Sequence, residues 1–200
     1  MRVLIDTNAL INLLDPRTPK NLADRMKGLL EDIDQTNGKL IIPAQVVGEY
    51  ISGAGPAGQA ILKGLLKNRR IEVGDFDHVA ATECALMEKV AHATGNKRAP
   101  LARDAIWQKV KVDRQIVAIA KVHKVDLIVS SDGDIPKLAE AVHIRCVAVK
   151  DLPLPEWAKQ VCIEEVLTVP VRAVEIREQA PRRMNLARAT PPVADEGEAG

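Results

Sequence analysis

Short apolar runs that end in acidic residues most constrain how this chain can fold. Val3, Leu4 and Ile5 run directly into Asp6, Thr7 and Asn8, and Leu127, Ile128 and Val129 lead through Ser130 and Ser131 into Asp132. Strands covered by helices on both faces of a parallel sheet read as continuous apolar runs, because neither face meets water. Lys39 to Pro43, Ile71 to Val73 and Ile144 to Val149 are three further candidate strands. Between them, apolar residues recur at helical spacing over Ala9 to Leu14, Lys20 to Ile33, Val46 to Ile51, Gln59 to Lys67, His78 to Thr94, Asp104 to Lys124 and Ile135 to Val142. This alternation predicts an α/β domain with three layers, α/β/α, around a central, mainly parallel sheet, ending near Lys150. Thr7 or Asn8 is expected to cap the first helix, Asn37 and Gly38 to make a turn, and Gly53, Gly55, Pro56 and Gly58 to break the chain between two helices. Those glycines have neither dinucleotide spacing nor a Walker lysine, so they read as a turn and not as a phosphate cradle.

Two hundred residues suit one domain plus an extension, since a domain usually holds roughly 100 to 150. Residues 1–150 are assigned to the domain and 151–200 to the extension. Glu156 to Leu167 is expected to form one more helix; Arg172 to Arg188 is basic, including Arg177, Arg182, Arg183 and Arg188; Pro191 to Gly200 is acidic and expected to be disordered. No apolar run approaches the roughly 18 residues of a membrane span, and the expected compartment is the cytoplasm. Cys84, Cys146 and Cys162 lie far apart without a CxxC spacing and are expected to be reduced thiols. The net charge of +1 gives no global field for a polyanion, so any nucleic-acid attraction must come from a local patch. Lys97, Arg98, Arg103, Lys109, Lys111 and Arg114 form the one candidate for it, with a solvated helix face as the plain alternative. With only four aromatic residues, Tyr50, Phe76, Trp107 and Trp157, a module that stacks successive bases on aromatic platforms is excluded.

Ligands of open parallel sheets gather beyond the carboxyl ends of the strands, which is where Asp6 and Asp132 stand. Asp113 is placed differently. Steps of three and four from Ile106 give Val110, Asp113, Val117 and Ala120, so this acid lies in the apolar stripe of its own helix, with no basic partner expected at helical spacing. A buried carboxylate needs a cation or a solvated cleft, because isolating its charge costs several kcal/mol. Glu49 completes the candidate set. Taken singly, Asp6 also reads as a helix cap and Asp132, before Gly133, as a turn residue; caps and turns do not account for Asp113. Clustered carboxylates repel one another unless a cation joins them, and oxygen donors without histidine or cysteine point to Mg2+ or Mn2+. His78, His92, His123 and His143 are scattered and read as packing or surface residues.

In these four places the chain resembles the PIN-domain ribonucleases, among them the VapC-type toxins of toxin–antitoxin pairs. The resemblance covers about residues 1 to 149 and rests on "VLIDTNALI", "PAQVVGEYI", "VDRQIVAIA" and "LIVSSDGDI". It implies a three-layer PIN fold and a Mg2+- or Mn2+-dependent endoribonuclease in which Asp6, Glu49, Asp113 and Asp132 bind metal and support catalysis. It further implies that Thr7 supports this set, that Asn8 and Ser131 hold the first and last aspartates, and that Asp134 is a fifth acid. The implied partners are an RNA substrate and an antitoxin protein; a homodimer is expected as well, because a small acidic cleft needs basic surface to hold RNA and the patch around Lys97 to Arg114 would come from a neighbouring subunit. Two departures from the compact toxin pattern are an insertion at Ala93 to Arg103 and everything after Lys150. The competing reading is a catalytically silent PIN-like scaffold or RNA-binding module, which is expected to have lost one of the four acids. A haloacid-dehalogenase-like phosphatase is excluded because Asn8 stands where it needs a second aspartate.

Overall fold

The structure, a computed structural model, describes residues 1–159. Most of the helix expected over Glu156 to Leu167 therefore lies outside the described residues, as do Cys162, the four tail arginines and the acidic C-terminal stretch. The described chain runs β1 (Arg2–Ile5), α1 (Thr7–Leu14), α2 (Lys20–Gln35), β2 (Lys39–Pro43), α3 (Ala44–Gly53), α4 (Pro56–Leu65), β3 (Ile71–Gly74), α5 (His78–Ala93), α6 (Trp107–Val122), β4 (Leu127–Val129), α7 (Ile135–Glu140) and β5 (Arg145–Val147), followed by a 3-10 turn at Val149–Asp151.

The sheet has the order β3-β2-β1-β4-β5, and all its pairings are parallel. β1 lies at its centre, with Leu4 opposite Ile41 of β2 on one side and Ile5 opposite Val129 of β4 on the other. Val3, Leu4, Ile5, Leu40, Ile41, Ile42, Ile128 and Val129 have no exposed surface, as uninterrupted apolar runs require when both faces are covered. The chain builds the sheet outward from β1 through β2 to β3, then crosses back through α5 and α6 to add β4 on the other side of β1. With right-handed crossovers, this reversal puts the two sets of connecting helices on opposite faces and opens a crevice between the ends of β1 and β4.

Two glycines are required by close approach. A Cβ at Gly38 would lie 2.1 Å from the Met1 carbonyl oxygen, where the turn enters β2, and one at Gly74 would lie 2.7 Å from Cγ2 of Ile119, where α6 crosses the end of β3. Three local expectations change. Asp6, and not Thr7 or Asn8, caps α1, with its side chain accepting from the Ala9 N–H. The glycine-rich break shrinks to two residues, because Gly53 still belongs to α3 and Pro56 already opens α4, a position where its missing N–H costs nothing. α6 starts only at Trp107, leaving Ile106 72% exposed at its N-cap, outside the buried stripe.

The segment between α5 and α6 is tied down by a buried arginine. Arg114 has no exposed surface and donates from one terminal nitrogen to the carbonyls of Lys97 (2.7 Å) and Ala99 (2.9 Å). Arg98 Nε donates to the Ala105 carbonyl at 2.6 Å, and Leu101 within the segment is buried. The start of the expected C-terminal extension also packs onto the body. Leu152 and Ala158 are buried, Arg25 donates to the Leu152 carbonyl, Pro155 lies against Gly28, and Trp157 Nε1 donates to Glu31 at 3.0 Å.

Candidate active site

The β1–β4 pairing brings two strand ends together. The Asp6 N–H donates to the Val129 carbonyl at 3.2 Å, so the ladder delivers Asp6 beside the loop that carries Asp132. Asp6 is 3% exposed and serves two purposes at once. Its Oδ1 caps α1 through the Ala9 N–H at 2.7 Å, and its Oδ2 accepts a short hydrogen bond from the Ser130 hydroxyl. Ser130 Oγ in turn accepts from the Asp132 N–H at 3.0 Å, and Asp132 Oδ1 accepts from the Asp134 N–H at 2.7 Å. The cap and turn readings of Asp6 and Asp132 thus hold together with their place in the site.

Here the expected supporting residues need correction. Ser130, not Ser131, links the first and last aspartates: Ser130 is buried, whereas Ser131 and Asn8 are exposed. A serine hydroxyl that accepts from the N–H two residues ahead closes a side-chain turn, and that turn directs Ser130 inward. The Thr7 hydroxyl donates to Glu49 Oε2 at 2.6 Å, across to α3.

Asp6, Thr7, Asn8, Glu49, Asp113 and Asp132 line a single cleft of about 470 Å³, with Gln108, Lys109, Val112, Ile116 and Ile135. Asp134 stands beside the cleft and joins Asp113 and Asp132 in a tight acidic group, one carboxylate oxygen from each lying within 4.8 Å of the others. Glu49 is the outermost acid and is exposed. None of the four histidines lines the cleft.

Asp113 is 6% exposed, as its position in the stripe predicts, but it is not without a basic neighbour. Lys109, one turn earlier, places Nζ 3.6 Å from Asp113 Oδ2, 2.9 Å from Asp132 Oδ1 and 2.5 Å from Asp134 Oδ2. At 3.6 Å the first contact is an ion pair too long for a hydrogen bond. Asp113 Oδ2 accordingly has no hydrogen-bond partner among the described residues.

The electrostatics follow from burial and crowding. Burial pushes the Asp113 carboxyl up to about 6; Lys109 works against this rise, and Asp132 and Asp134 add to it. Asp6 is also raised, first by burial, against the pull of its bonds from Ser130 and Ala9, with Asp132 and Glu49 adding to the rise. Asp132 goes the other way: burial alone would raise it, but hydrogen bonds from the Asp134 N–H and Lys109 together outweigh that and hold it low. Burial by itself would lower Lys109, yet its bonds to Asp134 and Asp132 keep it firmly protonated.

The expected basic patch is divided. Lys97, Arg98 and Lys111 gather around the Trp107 ring, with Lys97 Nζ 4.8 Å from its centroid. Arg114 is buried as a structural tie, and Lys109 faces the acids. Cys84 and Cys146 are free thiols that burial makes harder to ionise, Cys146 up to about 11.

The residues fit a hard divalent cation. The donors are carboxylates, one of their buried oxygens lacks a hydrogen bond, and no soft ligand lines the cleft. Asp113, Asp132 and Asp134 would hold such an ion, with Asp6 alongside.

Among solved structures, the chain is similar to VapBC2 from Rickettsia felis bound to a DNA fragment from its promoter, at 16% identity and a TM-score of 0.52 over 74% of this chain and 98% of that one. It is also similar to DNA-bound VapBC from Salmonella typhimurium, at 19% identity and a TM-score of 0.50 over the same shares. At these identities the likeness is one of fold. No curated protein matches the sequence. The family model of the PIN domain matches residues 3–141, a span that takes in every strand end and helix contributing to the cleft, and the chain belongs to the PIN domain family.

Proposed function

We propose that the protein is a metal-dependent endoribonuclease whose site is Asp6, Glu49, Asp113 and Asp132, with Asp134 as a fifth acid. The observation that carries this reading is the convergence of acids from both sides of the sheet on one cleft, with the Asp113 Oδ2 buried and without a hydrogen bond. A structural role does not explain a carboxylate held in that state, whereas a ligand position does. Mg2+ or Mn2+, when bound, would lower the pKa of a water and stabilise charge developing on a phosphodiester.

The chain's own residues supply the framework. Ser130 and the Ala9 N–H fix both oxygens of Asp6, so that its remaining lone pairs face the cleft in one orientation. The turn through the Asp134 N–H fixes Asp132 in the same way. Glu49, held by Thr7 at the exposed rim, would aid a second ion or the attacking water. Lys97, Arg98 and Lys111 offer positive charge beside the start of α6 for an RNA backbone.

We further propose that the protein is a toxin that pairs with an antitoxin protein and acts on RNA in the cytoplasm, as a homodimer; the similarity in fold to two VapBC complexes supports the antitoxin partner. All four acids expected of an active member are present in the cleft, which favours the enzyme over a silent scaffold.

The decisive experiment is cleavage of single-stranded RNA by the pure protein with Mg2+ or Mn2+. Asp6→Asn and Asp113→Asn should each be nearly inactive while binding RNA at least as well as the parent in low salt, since each removes repulsive charge. Variants that cut at the parent's rate would refute the mechanism, and cutting that survives EDTA would identify a contaminant. Induced expression that arrests growth with the parent and not with Asp113→Asn would support the toxin. Light scattering that gives a monomer at micromolar concentration would remove the homodimer.

A further inference from the structure

Among the described residues, Lys109 is the one basic side chain lining the cleft. Its ammonium lies 2.9 Å from Asp132, 2.5 Å from Asp134 and 3.6 Å from Asp113, the same three acids whose oxygens converge within 4.8 Å. We infer that Lys109 is a built-in counter-ion that offsets the repulsion of the acidic centre without metal and must be displaced when a divalent ion binds, so that it sets the protein's metal affinity.

Three observations support displacement over a permanent salt bridge. First, one positive charge faces three carboxylates, so compensation is incomplete, and Asp113 Oδ2 stays without a hydrogen bond. A divalent ion compensates the same oxygens better. Second, the Lys109 side chain is 40% exposed and stands on the first turn of α6. A flexible four-carbon stem there can turn its head into water with little loss of packing. Third, Asp132 and Asp113 do not rely on Lys109 for their placement. Asp132 is held by Ser130 and by the Asp134 N–H, and Asp113 by the helix that carries it. Displacing the lysine therefore leaves Asp132 and Asp113 in place and frees the Asp134 carboxylate to turn toward the ion.

This inference rests on the reading of the cleft as a divalent-cation site, and direct Mn2+ binding separates the two. In titration calorimetry Lys109→Met should bind Mn2+ about tenfold more tightly than the parent, because a competing charge a few ångströms from the ligands is gone. Lys109→Arg, which keeps the charge, should stay near the parent. Without metal, Lys109→Met should melt below the parent, and saturating Mn2+ should close that gap. Lys109→Gln provides a second uncharged variant should the methionine disturb folding. If the uncharged variants and the parent bind Mn2+ within twofold of each other, or the variants bind more weakly, Lys109 is not a competitor and the inference fails. If no form binds Mn2+ at all, the cation site itself is wrong.

Discussion

Replacing Asp113 by asparagine should stabilise the metal-free protein, the opposite of what removal of a structural charge pair does. The fold lifts this carboxyl from its ordinary 3.8 to about 6, so the folded state holds its proton more tightly than the unfolded chain does. The stability contributed by that proton is fully present below pH 3.8 and is lost as pH rises through about 6. At pH 8 the ionised group costs the fold at most about 3 kcal/mol. That ceiling already includes the attraction of Lys109. Asparagine keeps the shape and removes the charge, but its amide inherits the same poorly bonded pocket, so we expect a gain of about 1 kcal/mol at pH 8. The gain should shrink below pH 6 and vanish below pH 4, where the parent is itself protonated.

Urea denaturation in EDTA at pH 4 and pH 8 reads this directly. Adding Mn2+ at pH 8 should then reverse the order: the parent gains stability by mass action, while Asp113→Asn gains little. An Asp113→Asn variant less stable than the parent in EDTA at pH 8 would refute the reasoning. Asp113 would then be a structural partner of Lys109 and not a ligand held at the expense of stability.

Further outcomes follow from the same geometry. Millimolar Mg2+ or Mn2+ should raise the melting temperature of the parent, by the equivalent of about 2.7 kcal/mol at a hundredfold excess over Kd; an unchanged melting curve would count against the site. Ser130→Ala should weaken Mn2+ binding about tenfold by releasing Asp6 and Asp132, whereas Ser131→Ala should leave it unchanged; calorimetry on both variants tests the corrected assignment. Arg114→Met should destabilise the fold by about 2 kcal/mol, because it strands the Lys97 and Ala99 carbonyls, and limited proteolysis should then cut between α5 and α6 first.

The parts of the site legible in the sequence were those governed by one local rule. Asp6 and Asp132 follow apolar runs, and the ends of buried parallel strands are where ligands gather. Asp113 breaks a helical stripe, and burial makes the break visible. What a linear reading could not supply was adjacency: nothing in either segment says that β4 pairs with β1, and that pairing turns two separate acids into one cleft. The two misread basic residues have causes of their own. Residues 113, 114 and 116–120 of α6 are all buried, because α5, α7 and the 94–106 segment enclose the helix from several sides. A helix enclosed in this way has no single apolar face, so a one-stripe reading assigned Arg114 to solvent although it is wholly inside. Lys109 was misassigned for the converse reason. It lies beside the stripe, and its stem is long enough to carry the ammonium across to Asp132 and Asp134, which lie more than twenty residues further along the chain. The spacing of Lys109 and Asp113 is that of a helical ion pair. That signal was available, and it was masked by reading a row of lysines as one solvated face.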